Sequence, residues 1–310
     1  MKKNTDNFAA GETIPWKRRR LASALVFAAT LLVYAVIGRG SAQEITAVLS
    51  SGSNAYAESL AGFEKEWGQP VPAANMASEN VTLSHNSSLV IAFGAKAAMR
   101  SYPESLTLVY WSPGLGINQI GRAGPAIKIC LGARPDILIS RLKEIQPKLK
   151  NLRIFFMANY YTRYIEDMRQ TSRSLGIIIQ ADKLNRTSEL PARLRAMETK
   201  PDAVLILNDP LLINAQTFAI LKNYSWANGV PLYAPTAGLV EQGATASVGP
   251  AFAELGRAAA QTVRKILAGN STGEEIYPEI NEIAVNLTAA EKTGVILSEG
   301  FIKKVQKVFP

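Results

Sequence analysis

Short apolar runs alternate with amphipathic helical segments along most of the chain. Residues 45–49 predict a buried strand, and the stripe of Tyr56, Leu60, Phe63 and Trp67 predicts a helix directly after it. The next strand has two candidates, 71–76 and 81–83. Further strands are predicted at 88–93, 106–111, 127–131, 152–157, 176–180, 203–207, 230–234 and 246–248. Helices are predicted between them at 95–99, 135–149, 160–175, 188–199, 211–223 and 239–243. Strands joined through helices form parallel sheets covered on both faces, so the pattern predicts an α/β fold.

The stretch 246–279 contains a strand, a helix and an extended return. The strand ends at Gly249-Pro250, a dipeptide that is typical of turns. A helix with one apolar stripe follows from about residue 251. Gly269-Asn270 ends this helix, and Pro278 keeps the residue before it extended. An amphipathic helix between two extended segments predicts a connection between two lobes.

The first 42 residues have the features of an export signal. A basic cluster at 17–20 precedes seventeen residues without a charge, 21–37, and small residues follow up to Ala42. This order predicts a signal peptide cut after Ala42, so that the rest of the chain lies in the periplasm or another extracytoplasmic space. The alternative is a retained membrane anchor, because seventeen apolar residues approach the length of a short span.

Charge and cysteine content narrow the classes of function. The net charge of +9 includes seven basic and two acidic residues in 1–42, which leaves 27 basic against 23 acidic residues in the remainder. This mild excess contains no basic tract, so no nucleic-acid partner is predicted. Cys130 is the only cysteine, which excludes an internal disulfide, and its apolar neighbours predict a small buried side chain.

Polar residues cluster where the predicted strands end. In α/β sheets, ligands bind outside the carboxyl ends of the strands, where helix N-termini offer backbone N–H groups. The residues there are hydroxyls, amides, glycines, one tyrosine and one carboxylate, a set suited to hydrogen-bonding a small polar molecule. The candidate ligand-binding residues are Ser51, Ser53, Asn54, Gly94, Ser112, Asn159, Tyr160, Asn208, Asp209, Thr236 and Gly249.

No sequence motif supports catalysis. His85, the only histidine, lies in a polar run that predicts a solvated loop, and it would have to serve any catalytic triad alone. Gly114-Leu115-Gly116 is not followed by a helix start, which rules out a dinucleotide fingerprint, and Gly94-Ala95-Lys96 lacks the other residues of a phosphate-binding loop. We therefore expect no enzyme activity, no catalytic residue, no metal site and no cofactor.

Several segments of the second half carry a family resemblance. They are 151–156 (NLRIFF), 174–176 (SLG), 200–204 (KPDAV), 228–233 (NGVPLY), 255–259 (LGRAA), 266–269 (ILAG) and 284–290 (AVNLTAA). With them the chain resembles the periplasmic substrate-binding proteins of ABC transporters, of the type I, leucine-binding-protein-like subgroup. The resemblance covers roughly half of the chain.

The resemblance implies two Rossmann-like α/β lobes with parallel sheets, joined by three crossings near 121–126, 249–250 and 275–280. The first lobe would comprise 43–125 and about 250–278, and the second 126–249 and about 279–310. It also implies an exported, monomeric protein that binds a small polar, amino-acid-like molecule between the lobes and delivers it to an ABC transporter permease in the inner membrane. Tyr160 would form an aromatic wall, and Asp209 would meet a cationic amine. A membrane-anchored ligand-sensing module without a transport role is the alternative.

Overall fold

The computed structural model describes residues 44–78, 82–83 and 87–310. The predicted signal or anchor segment and His85 lie outside these residues. Within them, no helix has both the length and the apolar character needed to cross a membrane.

Two sheets and the helices that cover them form the fold. The strands are β1 Glu44–Leu49, β2 Ala73–Asn75, β3 Ser87–Phe93, β4 Thr107–Trp111, β5 Ala126–Ile129, β6 Asn151–Phe156, β7 Ile178–Lys183, β8 Ala203–Leu205, β9 Leu232–Ala234, β10 Ala246–Gly249, β11 Glu275–Ile276, β12 Glu282–Asn286 and β13 Lys307–Phe309. The α-helices are α1 Asn54–Trp67, α2 Ala95–Ala98, α3 Pro135–Ile145, α4 Tyr161–Ser174, α5 Leu190–Arg195, α6 Ala215–Asn228, α7 Ala237–Glu241, α8 Phe252–Leu267, α9 Leu287–Thr293 and α10 Glu299–Ile302.

The strand order confirms the two-lobe α/β prediction. The first sheet has the order β11-β5-β4-β3-β1-β2, and the second has the order β13-β12-β10-β9-β8-β6-β7. Among the described strands, neighbours pair in parallel except for the antiparallel pair β10 and β12. Each sheet therefore presents the carboxyl ends of most of its strands at one edge, where its helices begin.

The strand β5 lies in the first sheet, whereas the predicted boundary at residue 125 assigned it to the second lobe. Val109 of β4 is in register with Ile127, and Ile127 and Ile129 are buried in the core of the first sheet. The chain leaves this sheet after β5, so the first crossing lies at about 130–134 rather than 121–126. A short apolar run predicts a strand but carries no local information on which sheet it joins.

The helix α8 covers the first sheet by packing very closely on α1. Ser59 Oγ of α1 donates a hydrogen bond to the carbonyl oxygen of Phe252 at 2.9 Å and accepts one from Trp111 Nε1 at 3.2 Å. A Cβ atom built on Gly256 would lie 1.8 Å from the carbonyl oxygen of Ser59. This contact requires glycine, and it fixes α8 on the first lobe, whereas β10, at the start of the stretch 246–279, belongs to the second sheet.

The core of the second lobe has two halves, one on each face of its sheet. Ile154 and Leu205 face α3 and α4, whereas their neighbours Phe155 and Val204 belong to the core beneath α6 and α7. Successive side chains of a strand point to opposite faces, so a sheet buried on both faces needs continuous apolar strands. The central strands of the second lobe, β8 and β9, are therefore continuous apolar runs, which the sequence pattern alone predicts.

Candidate functional site

The two sheets meet where the chain crosses between them. The first crossing follows β5 and the third follows β11, and the two run side by side because Cys130 N donates to the carbonyl oxygen of Ile276 at 2.8 Å. The second crossing follows Gly249, where an added Cβ would lie 3.9 Å from the carbonyl oxygen of Leu131. The three connections are thus neighbours at the join of the lobes.

The loops at the strand ends touch across this join. Gly114, after β4, adopts a positive φ of 64°, and a Cβ atom on it would lie 2.7 Å from Pro210 Cδ in the second lobe. Asn208 Nδ2 donates to the carbonyl oxygen of Leu131 at 3.5 Å. The lobes are therefore in contact at this point.

An inner cavity of about 40 Å³ lies at the join. A volume of this size holds a water molecule or a small part of a larger ligand. Four tyrosines, one lysine and the single cysteine are the chemically distinctive residues that line it, together with two of the predicted polar residues: Tyr160, Tyr161, Tyr164, Tyr277, Lys128, Cys130, Ser112 and Asn208.

The tyrosines pack edge to face. The ring centroids of Tyr160 and Tyr161 are 5.1 Å apart at an interplanar angle of 73°, and those of Tyr161 and Tyr164 are 6.3 Å apart at 81°. Tyr164 Oη donates to the carbonyl oxygen of Ala133 at 2.6 Å, and Tyr161 Oη donates to that of Asn208. Burial raises the pKa of the Tyr160 and Tyr164 hydroxyls well above the ordinary value, so both are neutral hydrogen-bonding groups at physiological pH.

Lys128 places a positive charge in this apolar setting. Its side chain is 1% exposed, and its Nζ lies 3.1 Å from the centroid of the Tyr160 ring and 4.0 Å from Glu275 Oε1. Burial lowers the lysine pKa to about 8, while Cys130 and Glu275 act in the opposite direction. The ammonium group contacts the face of the Tyr160 ring, and the nearest carboxylate, that of Glu275, lies 4.0 Å away. Both interactions are weaker than hydrogen bonds to close acceptors.

A larger outer cavity of about 570 Å³ adjoins the inner one. The two share Tyr160, Tyr164 and Tyr277. The outer cavity is polar, with amide and charged side chains from both lobes and the third crossing: Asn118, Gln119, Asn159, Arg163, Asp167, Glu274 and Glu275. Together the two cavities form a recess with an aromatic interior and a charged opening.

A third cavity of about 220 Å³ is lined by Glu58 of α1, by residues that follow β9, and by the second crossing. Thr236 and Gly249 belong to it, as do Glu282 and Lys307, whose side chains form an ion pair at 3.1 Å. It contains no tyrosine among the described residues.

The predicted ligand-binding residues are thus distributed over three cavities. Ser112, Tyr160 and Asn208 line the inner cavity, Asn159 and Tyr160 the outer one, and Thr236 and Gly249 the third. Within the described chain, five predicted residues line none of them: Ser51, Ser53, Asn54, Gly94 and Asp209. Ser51 and Ser53 follow β1, Asn54 is the first residue of α1, and Gly94 follows β3 with a φ of 97°. At the same strand ends, Ser50 Oγ accepts from the N–H of Ala97 at 2.9 Å.

Asp209 was predicted to meet a cationic amine, but in the structure its carboxylate accepts hydrogen bonds from backbone N–H groups. Its side chain is buried, its Oδ2 accepts from the N–H groups of Met157 and Ala158 at 2.6 and 2.9 Å, and its Oδ1 accepts from that of Leu211 at 3.1 Å. The carboxylate therefore joins the loops after β6 and β8, and Asp209 lines none of the three cavities.

Sequence reasoning missed Lys128, Tyr164 and Tyr277. A signal for Lys128 was present, because a charged residue between Ile127 and Ile129 interrupts an apolar strand. Cys130 is buried as predicted, at 2% exposure. In the described part of the chain, no group of three or more histidine, cysteine or acidic side chains is arranged to hold a metal ion.

The fold and the recess define a protein of two α/β lobes with a ligand-sized recess at their join. A sequence model of the ABC transporter substrate-binding proteins matches residues 136–309, which is more than half of the chain. The chain belongs to this family. A curated relative, an uncharacterized protein of Rickettsia prowazekii (strain Madrid E), is 21% identical over 179 residues, which cover 57% of this chain and 58% of the relative.

Solved structures show the same fold. The ABC domain in complex with L-Trp from Streptococcus pneumonia is 16% identical and has a TM-score of 0.60, covering 87% of this chain and all of its own. The ligand-free, open structure of a substrate-binding protein with adhesive properties from Clostridium difficile is 16% identical with a TM-score of 0.64, covering 86% of this chain and 99% of its own. At these identities the likeness concerns the fold alone.

Proposed function

We propose that this chain is an exported, monomeric solute-binding protein that captures a small, amino-acid-like molecule and delivers it to an ABC transporter permease of the inner membrane. The observation that carries the proposal is the recess at the join of the lobes, with tyrosines inside and charged groups at its opening. Membership of the substrate-binding family supports the same function.

The chemistry of the recess favours a ligand with an apolar body and polar ends. Tyrosine rings offer flat apolar faces, and their hydroxyls give direction to the contacts. Asp167, Glu274 and Glu275 outnumber Arg163 at the opening, which favours an amine there. The related fold from Streptococcus pneumonia is in complex with L-Trp, which is consistent with this class of ligand.

A ligand screen by thermal denaturation tests the proposal. A metabolite library including L-tryptophan should contain a compound that raises the melting temperature, because binding to the folded state alone adds about 2.7 kcal/mol at a hundredfold excess over Kd. Tyr160→Leu should weaken this shift, whereas Tyr224→Phe, outside the described cavities, should preserve it. No shift with any compound would contradict the proposal. A shift that Tyr160→Leu leaves intact would move the site to another cavity.

A second candidate, a membrane-anchored ligand-sensing module, is favoured by the uncharged run 21–37. Mass spectrometry of the N-terminus of the native protein separates the two. A chain that begins near Gln43 supports the exported solute-binding protein, and an intact run 21–37 supports anchoring.

A further inference from the structure

The buried ammonium of Lys128 has hydrogen-bonding capacity that the described protein does not use. Its Nζ is buried and has no hydrogen-bond partner among the described residues. A lysine ammonium has three N–H donors, and burying it without acceptors is costly. Glu275 Oε1, at 4.0 Å, is beyond hydrogen-bonding distance, and the Tyr160 ring accepts no conventional hydrogen bond.

A second unused donor lies beside it. Tyr110 of β4 is in register with Lys128 of β5, so their side chains stand on the same face of neighbouring strands. The hydroxyl of Tyr110 is also buried without a hydrogen-bond partner in the described structure. Of the two, only Lys128 lines the inner cavity, where an acceptor can reach it.

The contact between Lys128 and Tyr160 spans the two lobes. Lys128 belongs to the first sheet, and Tyr160 directly precedes α4 of the second lobe. If the lobes open, the ammonium and the ring separate, because they belong to different lobes. An incoming ligand then meets a positive charge on one lobe and an aromatic face on the other.

We propose that Lys128 binds the acidic group of the ligand in the inner cavity, so that the transported molecules are small carboxylates with an apolar body. This inference rests on the proposed function and adds its substrate class. The charge favours a carboxylate in the inner cavity, while the acidic residues at the outer opening accommodate a second, cationic end. A neutral ligand would offer the buried ammonium only an uncharged acceptor, which forms a weaker hydrogen bond than a carboxylate does.

Matched ligand pairs and a matched variant pair test this inference. The library contains L-tryptophan with L-tryptophanamide and L-leucine with L-leucinamide, and each compound that shifts the melting temperature is titrated by calorimetry. Lys128→Met keeps the length of the side chain and removes a buried charge, so it should fold. It should weaken binding of the acidic ligand about tenfold or more. Lys148→Met, at an exposed position on the second lobe, should leave the Kd unchanged.

The outcomes distinguish the two proposals. Preference for the acid over its amide, lost in Lys128→Met, supports the inference. Ligands without an acidic group, or an affinity in Lys128→Met within twofold of the parent, would overturn it and leave the binding function standing. If no compound binds at all, the proposed function itself fails.

Discussion

Burial of Lys128 makes folding stability depend on pH in an unusual direction. The lysine pKa falls from 10.5 to about 8 on folding, so from pH 8 upward the unfolded chain holds a proton that the folded protein releases. Lys128 alone therefore makes the free energy of unfolding rise with pH in this window. The neighbouring Cys130 acts oppositely, because burial raises its pKa from 9.0 to about 12 and the unfolded chain loses that proton first.

We expect Lys128 to add about 1 kcal/mol to the free energy of unfolding between pH 8 and pH 9, seen as a change in the difference between the parent protein and Lys128→Met. Urea titrations of both proteins at half-unit pH steps measure this difference. The buried tyrosines Tyr110, Tyr160 and Tyr277 oppose the rise near pH 10, because burial raises each pKa and the unfolded chain loses those protons first. The subtraction removes their contribution and that of Cys130, because both proteins contain these residues. A difference that stays constant from pH 8 to pH 9 would contradict the argument.

We expect replacement of Asp209 to lower the stability of the fold rather than to remove a contact with the ligand. Asp209→Ala leaves the N–H groups of Met157, Ala158 and Leu211 without their acceptor, and we expect a loss of about 3 kcal/mol in unfolding free energy. Asp202→Ala is the matched control, because Asp202 also accepts from two backbone N–H groups, of Lys150 and Asn151, but at a more exposed position. Its loss should be smaller, since water can replace the carboxylate. Equal losses by urea denaturation would show that burial is not the deciding factor.

At the scale of elements, the pair α1 and α8 should tolerate no side chain at Gly256. Alanine gains up to about 1 kcal/mol over glycine in helix propensity, but its Cβ would lie 1.8 Å from a backbone oxygen of α1, and overpacking costs about 1–3 kcal/mol or more. We expect Gly256→Ala to lower the unfolding free energy by about 2 kcal/mol. Gly300→Ala in α10 meets nothing within 4 Å and should be neutral or slightly stabilising. If Gly256→Ala proved as stable as Gly300→Ala, the close packing of the helices would be wrong.

Elements that depend on local pattern were predictable, and those that depend on distant partners were not. The strand–helix alternation follows from periodicity. The start of α6 at Ala215, rather than at 211, depends on Asn214, whose side chain accepts from the N–H groups of Gln216 and Thr217. The sheet that β5 joins, and the meeting of Tyr160, Tyr164 and Tyr277 around Lys128, depend on residues far apart in sequence. Strand-end rules named Tyr160, which lines the inner cavity, but could not identify Tyr164 and Tyr277 beside it.

At the scale of the whole molecule, we expect the proposed ligand binding to be coupled to the contact between the lobes. Tyr160, Asn208 and Pro210 of the second lobe meet Lys128, Leu131 and Gly114 from the first sheet and its crossing. These contacts enclose the inner cavity, so the protein's affinity for a ligand includes the free energy of bringing the lobes together. If only the closed arrangement binds tightly, the apparent Kd increases as the closed fraction decreases.

Gly114 offers a way to change that fraction without touching the lysine. Gly114→Ala adds a Cβ 2.7 Å from Pro210 Cδ across the lobes, at a φ of 64°. Gly121→Ala is the matched control, because Gly121 has a φ of 65° with nothing within 4 Å and therefore shares the backbone strain without the clash. We expect both variants to lose a similar, modest amount of stability. Only Gly114→Ala should shift the population towards open lobes. This shift should lengthen the distance between fluorophores placed at Lys65 and Arg193. It should also weaken ligand binding about tenfold, which corresponds to about 1.4 kcal/mol. Equal distances and affinities in the two variants would show that the contact between Gly114 and Pro210 does not control closure.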